Sequence, residues 1–341
     1  MAKKYFLQQY LQEQYVHGGV TNVDAEKILL ADGFEPIFFP YHYDFSIKAK
    51  IGRLFFLIKE LIRIKNGSVV VFLFPFYAVL HKLFIRLLRL KKVTLICYIV
   101  DIDGIKDGNK HLLKQEVRFF QKFRYFIVLN ASMERWLKEQ VPGSVAAPVH
   151  FHSFLTNPAI RPRDRSFHIV FAGNLAKSPF LEQLYLLKST SPDIRFDLYG
   201  PDPTDRMIRQ ENVAYRGVEK PYDLPGKLNG SFGLVWEGDS IDKPEGSLGN
   251  YIQFITHNKI SLYILSGLPI IIPASAGTAP LVESYQIGFA VNNLYEIEEK
   301  IQGITIEKYR EMQRNLKPIA EKVSTGQFLT DAVNEIMKRL N

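Results

Sequence analysis

The chain has 341 residues and a mass of 39.3 kDa, about twice the usual size of one domain, so two domains with their own cores are expected. Hydrophobic residues make up 47% of it, including 25 Phe and 17 Tyr, which excludes a disordered chain, and no repeat or low-complexity tract points to a solenoid. Basic residues exceed acidic ones by 43 to 35, a net +8, and the single cysteine, Cys97, excludes an intramolecular disulfide or a cysteine metal cluster.

The opening segment "MAKKYFLQQYLQEQYVHGG" lacks the apolar core and cleavage site of a signal peptide. No stretch reaches the roughly 18 uninterrupted apolar residues of a membrane span, so a cytoplasmic protein is expected. The first strand is "KYFLQ". Gly18 and Gly19 follow it, just before a helix that opens with Thr21 or Asn22 as cap and carries Asp24 in its first turn. Two glycines there serve either a tight turn or a close approach of the backbone to a phosphate or sugar. The absence of G-x-G-x-x-G argues against an NAD enzyme.

"EPIFF", "SVVVFLF", "VTLICYIV", "YFIVLN" and "SVAAPV" continue the strand series, with longer amphipathic segments between them. Continuous apolar strands spaced in this way predict a parallel sheet covered on both faces. "KAKIGRLFFLIKELIRIK" (Lys48 to Lys65) and "HKLFIRLLRLKK" (His81 to Lys92) interleave Lys and Arg with apolar residues at helical spacing. They read as outer helices with a basic face in water, or as the same helices with a peripheral membrane face built on Arg53, Lys59, Arg63, Arg86 and Arg89. No nucleic-acid partner is expected, because no zinc finger, RRM or recognition helix accompanies the charge.

"TNPAIRPRDRS" is rich in Pro and Arg and has no apolar period, as expected of a linker. The alternation then restarts with "FHIVFAG", "IRFDLYG", "NVAYRG", "FGLVW", "LPIIIP" and "GFAV". The organisation predicted is α/β: a Rossmann-like domain over 1–155, a linker over 156–166, a second Rossmann-like domain over 167–323, and a terminal helix over 324–341. The two doubly wound domains face each other across a cleft, where such sheets bind ligands, and the terminal helix packs on the first domain or on a partner chain. In "FAGNLAKSPFL", Gly173 and Asn174 end a strand, Lys177 stands in the loop, and Ser178 with Pro179 starts the next helix. In "THNKISLYILSGLPIIIP", Asn258 caps a helix, Lys259 and Ser261 lie in its first turn, and Gly267 ends it. Lys259 opposes the helix macrodipole. Either it swings into solvent or an anion such as a diphosphate reverses the sign of the effect.

"HNKISLYILSGLPIIIPASAGTAPLVESYQIGFAVNNLYEIEEKI" resembles the nucleotide-sugar segment of GT-B glycosyltransferases, in the form "P-H-K-x-S-x-Y-x-x-x-G-x-P-V-I" of β-1,6-galactofuranosyltransferase-like proteins and streptococcal adhesin-glycosylating glucosyltransferases. "ICYIVDIDGIKDGN" is similar to the family's "I-H-D-x-x-x-L-R", and "FGLVWEGDS" to its "G-L-V-W-D-G". The resemblance implies a hexose transferase that uses a UDP-sugar without an obligatory metal or other cofactor. Its acceptor would be a glycan, lipid-linked or glycoprotein molecule, and its assembly a homo-oligomer, dimer or tetramer. Lys259 and Lys177 would neutralise the leaving diphosphate, with the Gly173 and Ser261 regions as neutral donors. Gly18, Gly19 and Thr21 would close over the donor, and Arg216, Tyr222, Asn250 and Tyr251 would contact base, ribose or sugar. Two departures stand out: Val100 replaces the family histidine and Lys106 its arginine. The positions of the retaining glutamate pair hold Phe254 and Leu262, so inversion is expected. Asp101 leads as general base, with Asp103 beside it and His42 or Asp44 as alternatives. A nucleotide-sugar epimerase or hydrolase of this fold, or a silent nucleotide-binding adaptor, are the competing readings.

Overall fold

The computed structural model describes residues 3–11, 20–39, 46–76, 79–189 and 191–340. Among them lie two six-stranded sheets, parallel throughout. The first is built from β1 (Lys4–Gln8), β2 (Glu35–Phe38), β3 (Val69–Phe74), β4 (Thr94–Ile99), β5 (Tyr125–Val128) and β6 (Val145–Pro148), in the order β2-β1-β3-β4-β5-β6. The second holds β7 (His168–Ala172), β8 (Arg195–Tyr199), β9 (Val213–Gly217), β10 (Phe232–Leu234), β11 (Ile270–Pro273) and β12 (Gly288–Val291), in the order β12-β11-β10-β7-β8-β9. Every apolar run read as a strand is one. In β3, each residue of VVVFLF is buried, which requires cover on both faces of the sheet. Strand order reverses between β1 and β3 in one sheet and between β7 and β10 in the other, so each has a crevice at that point outside its carboxyl edge.

The helices of the first half are α1 (Val20–Ala31), α2 (Ile47–Arg63), α3 (Val79–Leu90), α4 (Asp103–Lys106), α5 (Lys110–Phe120) and α6 (Ala131–Gln140). Those of the second are α7 (Asp205–Ile208), α8 (Leu224–Lys227), α9 (Gly246–Tyr251), α10 (Asn258–Ser266), α11 (Ala279–Ser284), α12 (Glu296–Gly303), α13 (Ile306–Thr325) and α14 (Gln327–Lys338). Three boundaries differ from the sequence reading. The described part of α1 already runs from Val20, so Thr21 and Asn22 lie inside the helix rather than capping it, and Asp24 falls beyond the first turn. For α10 the cap position is His257 and Asn258 is the first helical residue. After Gly173 the chain forms 3-10 turns, Leu175–Lys177 and Pro179–Ser189, the first closed by Asn174, whose side chain accepts from the Lys177 amide at 3.3 Å.

The cores are less separate than two independent domains would need. One cluster fills both sides of the first sheet and continues through Tyr251, Ile260, Tyr263 and Ile264 into Ile270 and Ile272 of β11, while Ile271 belongs to a second cluster on the other face of its sheet. The segment 156–166 is also not a loose tether. Arg161 donates to the Leu228 carbonyl at 2.8 Å, Arg163 to those of Leu228, Gly230 and Ser266 at 2.9, 2.9 and 3.0 Å, and Arg165 to that of Ile301 at 2.8 Å. Prolines and arginines thus make an extended strap on the second half. α13 packs on α10, the chain turns at Gly326 with φ +79°, and α14 returns to β5, β6 and α1 of the first half.

Candidate functional site

α10 starts at the second sheet's reversal point, and its first turn carries Lys259. That side chain is 12% exposed, forms an ion pair with Glu237 and lies 4.7 Å from the centroid of the Phe171 ring. It therefore does not swing into solvent. Glycine at 173 makes this path possible, because a Cβ there would stand 2.8 Å from the Lys259 Cε. Glu237 follows β10, and its carboxylate is 9% exposed. Burial raises its pKa, but Lys259, His257 and Lys177 bring it below the usual glutamate range. His257 Nδ1 stands 3.7 Å from the same carboxylate oxygen. Burial lowers the pKa of both His257 and His152 to about 4, so both rings are neutral near pH 7. His257 Nε2 and His152 Nδ1 are buried with no hydrogen-bond partner among the described residues.

Two cavities meet at this point. One, of about 260 Å³, is the more polar of the two and includes Asp101, Lys106, Asn174, Lys177, Glu237 and Tyr251 in its wall. The other, of about 180 Å³, is mainly apolar and is bounded by Val20, Thr21, Phe154, Gly173, Leu224 and Leu262 among others. His152, Asn258 and Lys259 line both. Thr21 reaches across from α1 and donates to the Asn258 side-chain oxygen at 2.5 Å.

The first sheet contributes Asp101 at the end of β4. Its Oδ1 accepts from the Tyr251 hydroxyl at 3.1 Å and its Oδ2 pairs with Lys106 at 3.0 Å, while the Tyr251 oxygen accepts from the Ile102 amide at 2.7 Å. Burial raises the Asp101 pKa more than Lys106 and Tyr251 lower it. The turn that holds Asp101 is fixed by Glu116, a buried carboxylate that accepts from the Asp103 and Gly104 amides at 3.1 and 2.9 Å.

The site thus gathers Thr21, Gly173, Asn174, Lys177, Asn258, Lys259, Ser261, Asp101 and Tyr251. Other expected residues stand elsewhere or are committed. Ser261 spends its hydroxyl on the His152 carbonyl at 2.7 Å, so its contribution is to join the halves. Arg216 pairs with Asp197 at 2.9 Å on the edge strand β9, and Asn250 is exposed on α9; neither lines either of these two cavities. Tyr222 donates to Asp24 at 2.7 Å, which also accepts from the Leu155 amide at 2.8 Å, making an interdomain tie rather than a cavity wall. Asp103 stands 3.9 Å from Lys106, outside both linings. Gly18, Gly19, His42 and Asp44 lie outside the described residues. Sequence reasoning missed Glu237, His152 and His257. Glu237 was within reach, as a carboxylate just past an apolar strand inside the quoted "FGLVWEGDS". Among the described residues no His, Cys, Asp and Glu cluster is arranged to hold a metal ion, and no helix is long and apolar enough to cross a membrane.

Comparison with known proteins gives a consistent picture. Residues 3–143 match the N-terminal and residues 169–336 the C-terminal domain model described as glucosyltransferase 3-like. The chain is 27% identical over 285 residues to the β-1,6-galactofuranosyltransferase WbbI of Escherichia coli (strain K12), covering 81% of each chain. It is 24% identical over 334 residues to glucosyltransferase 3 of Streptococcus gordonii, covering 93% of this chain and 94% of the other. Among solved structures, Anabaena HepE in complex with UDP and glucose superposes with a TM-score of 0.61 at 13% identity, over 98% of this chain and 100% of that one. A sucrose-phosphate synthase from Thermosynechococcus elongatus gives 0.63 at 12% identity, over 100% and 99%. At these identities the structural matches speak for the fold.

Proposed function

The chain belongs to the glucosyltransferase 3-like family and is a glycosyltransferase of the GT-B fold, and from that premise we propose that it moves a hexose from a UDP-sugar to a sugar hydroxyl with inversion and without a metal. The observation that carries this reading is that Lys259 and Asn258 border both cavities. A nucleotide sugar is two unlike halves joined by a diphosphate. The apolar chamber takes the nucleoside, the polar one takes the hexose and the acceptor, and the joining anion meets a lysine at a helix start.

In this mechanism Lys259 leaves Glu237 for the diphosphate and Lys177 adds a second positive charge, together stabilising the leaving group. Glu237, relieved of its partner, accepts hydrogen bonds from hexose hydroxyls. Asp101 takes the proton from the acceptor hydroxyl. Its raised pKa brings it nearer to neutrality, where a base of this kind is most effective, and Tyr251 and Lys106 hold it in place. Phe254 and Leu262 offer no carboxylate for a retaining route. The segment 1–155 binds the acceptor and 167–323 the nucleotide sugar. The hexose is galactofuranose, glucose or a similar sugar, and the product feeds surface polysaccharide or glycoconjugate synthesis in a cytoplasmic homo-oligomer with peripheral contact to the membrane when its acceptor is lipid-linked.

A panel of UDP-sugars and acceptors tests the proposal. Transfer that yields a β-glycoside from an α-linked donor by NMR, persists in EDTA and falls about 100-fold or more in Asp101→Asn with UDP binding intact is the expected result. An α-linked product refutes inversion, and an active Asp101→Asn enzyme refutes the base. Interconversion of the UDP-sugar without acceptor would mark an epimerase or hydrolase, and binding without turnover an adaptor.

A further inference from the structure

Helix α2 carries two apolar faces where an outer helix needs one. Ala49 and Leu57 are buried, Leu57 within the main core, yet Ile47, Ile51, Leu54, Phe55, Ile58 and Ile62 are between 48% and 76% exposed. At about 100° per residue these six fall within one arc of roughly 100°, well away from the buried arc. Lys48 and Lys59 border it on one side and Lys50 on the other. Helix α3, packed beside α2, repeats the pattern: Val79, Leu83 and Leu90 are exposed at helical spacing, with Lys82, Arg86 and Arg89 around them. Lys91 donates to the carbonyls of Leu61 and Ile64 at the end of α2, which fixes the two helices relative to each other.

Charge is concentrated on the same surface. Residues 47–92 contain eleven Lys and Arg against one acidic residue, Glu60, a net +10 that exceeds the +8 of the whole chain. Glu60 is buried and paired with Arg63 at 2.7 Å, so it subtracts little from the outer face. Arg63 also donates to the Pro36 carbonyl at 2.7 Å, which removes it from the basic residues expected to meet a membrane. The Lys122 pKa is lowered by burial and by the nearby Lys82, Arg89 and Arg86, the mark of cations crowded without anions between them.

We propose that the exposed face of α2 and α3 is a docking surface for an anionic phospholipid bilayer, with Phe55, Ile58 and Ile62 entering the headgroup layer and Lys48, Lys50, Lys59, Lys82, Arg86 and Arg89 meeting lipid phosphates. An apolar stripe bordered by lysines on a helix lying flat matches a membrane interface in both its parts. A protein partner would need acidic residues around an apolar groove, and a second copy of this chain would bring a like charge of the same size against the patch.

This inference is independent of the donor assignment. Co-sedimentation with vesicles of phosphatidylcholine plus phosphatidylglycerol should be clear at low salt, weaken strongly as salt screens the charges, and be minor with phosphatidylcholine alone. Phe55→Glu with Ile58→Glu should weaken binding at least about tenfold while UDP affinity, which also reports folding, stays at the wild-type value. Lys48→Glu with Lys59→Glu, both at exposed positions, should weaken it too. Equal binding to neutral vesicles, or wild-type binding by both variants, would overturn the proposal. So would a wild-type protein that ignores vesicles but forms an oligomer that Phe55→Glu with Ile58→Glu dissociates, since the stripe would then join copies of the chain. A failure to bind UDP with vesicle binding intact would count against the transferase site alone.

Discussion

Lys259 and Glu237 are most informative when changed singly and together. Lys259→Ala leaves a carboxylate that is 9% exposed with neutral His257 and the more distant Lys177 as company. Removing one partner of a buried pair costs about 3–5 kcal/mol, and because the cavity admits water on one side, a loss of about 2–3 kcal/mol in stability is expected. UDP binding should weaken by at least about 1.5 kcal/mol, the low end for a charge-assisted hydrogen bond. Glu237→Gln acts in the opposite direction on binding. Lys259 keeps the Phe171 ring, loses the anion that competes for its ammonium, and no longer has a negative charge beside the incoming diphosphate. Two unit charges about 5 Å apart interact by roughly 3 kcal/mol at an effective dielectric of about 20; half of that surviving in a wet cleft tightens UDP binding about tenfold. Turnover should nonetheless fall, because the hexose loses an acceptor. Lys259→Ala combined with Glu237→Gln removes both charges, so the double variant should lose less stability than the two single losses summed, while UDP stays weak. Urea denaturation and titration calorimetry on the four proteins measure all of this. A Glu237→Gln protein that binds UDP no more tightly than wild type would refute the idea that this pair opens for the diphosphate, and additive stability losses would refute the coupling.

Other expected outcomes follow from the same geometry. His152 and His257 have folded-state pKa values lowered to about 4 from 6.5, so their stabilisation is complete above pH 6.5 and is lost as pH falls toward 4, because the unfolded chain takes up protons first. The slope approaches about 1.4 kcal/mol per pH unit for each ring. Asp24 and Asp101, with raised pKa values, oppose this nearer their own range, so thermal melts between pH 6.5 and 5 are the cleanest reading; a flat melting temperature there would refute buried neutral rings. Gly173→Ala should displace the flexible end of Lys259, weakening UDP binding several-fold with a small change in melting temperature; equal UDP affinity would show that the lysine has room to spare. Tyr251→Phe should cost about 1–3 kcal/mol by stranding the Ile102 amide and lower turnover through a less ordered Asp101, with UDP affinity unchanged; unaltered turnover would show that Asp101 does not need it.

The strands were legible because parallel strands buried on both faces are continuous apolar runs, and VVVFLF and IIIP announce themselves without help from any partner. Lys259 was legible for another reason: a cation at a helix start conflicts with its own backbone and so calls for an anion nearby, which the structure supplies in Glu237. What the sequence concealed depends on contacts between distant residues. Ser261 and Lys259 are two positions apart, yet one faces the His152 carbonyl and the other Glu237, and only the packing of α10 between the halves decides which. Arg216, read as a contact to base, ribose or sugar, pairs in the structure with Asp197, 19 positions earlier, a partner that no local pattern announces. The neutral state of His257 likewise follows from burial, which no local pattern reports.

The polypeptide crosses between its halves twice, once near Leu155 and Thr156 and again at Gly326, where α13 hands over to α14. A body fastened to another at one point can swivel in any direction, whereas fastening at two points leaves the line through them as the natural axis of turning. With the strap 156–166 pinned by its three arginines to the second half, slack in that connection cannot blur the motion. Any turning of one half on the other is then confined to one axis, so the separation of Asp101 and Lys259 can change mainly through a single angle, and the shared core resists even that. The Tyr251 hydroxyl, attached to one half and hydrogen-bonded to Ile102 and Asp101 of the other, sits where it opposes that turning most directly.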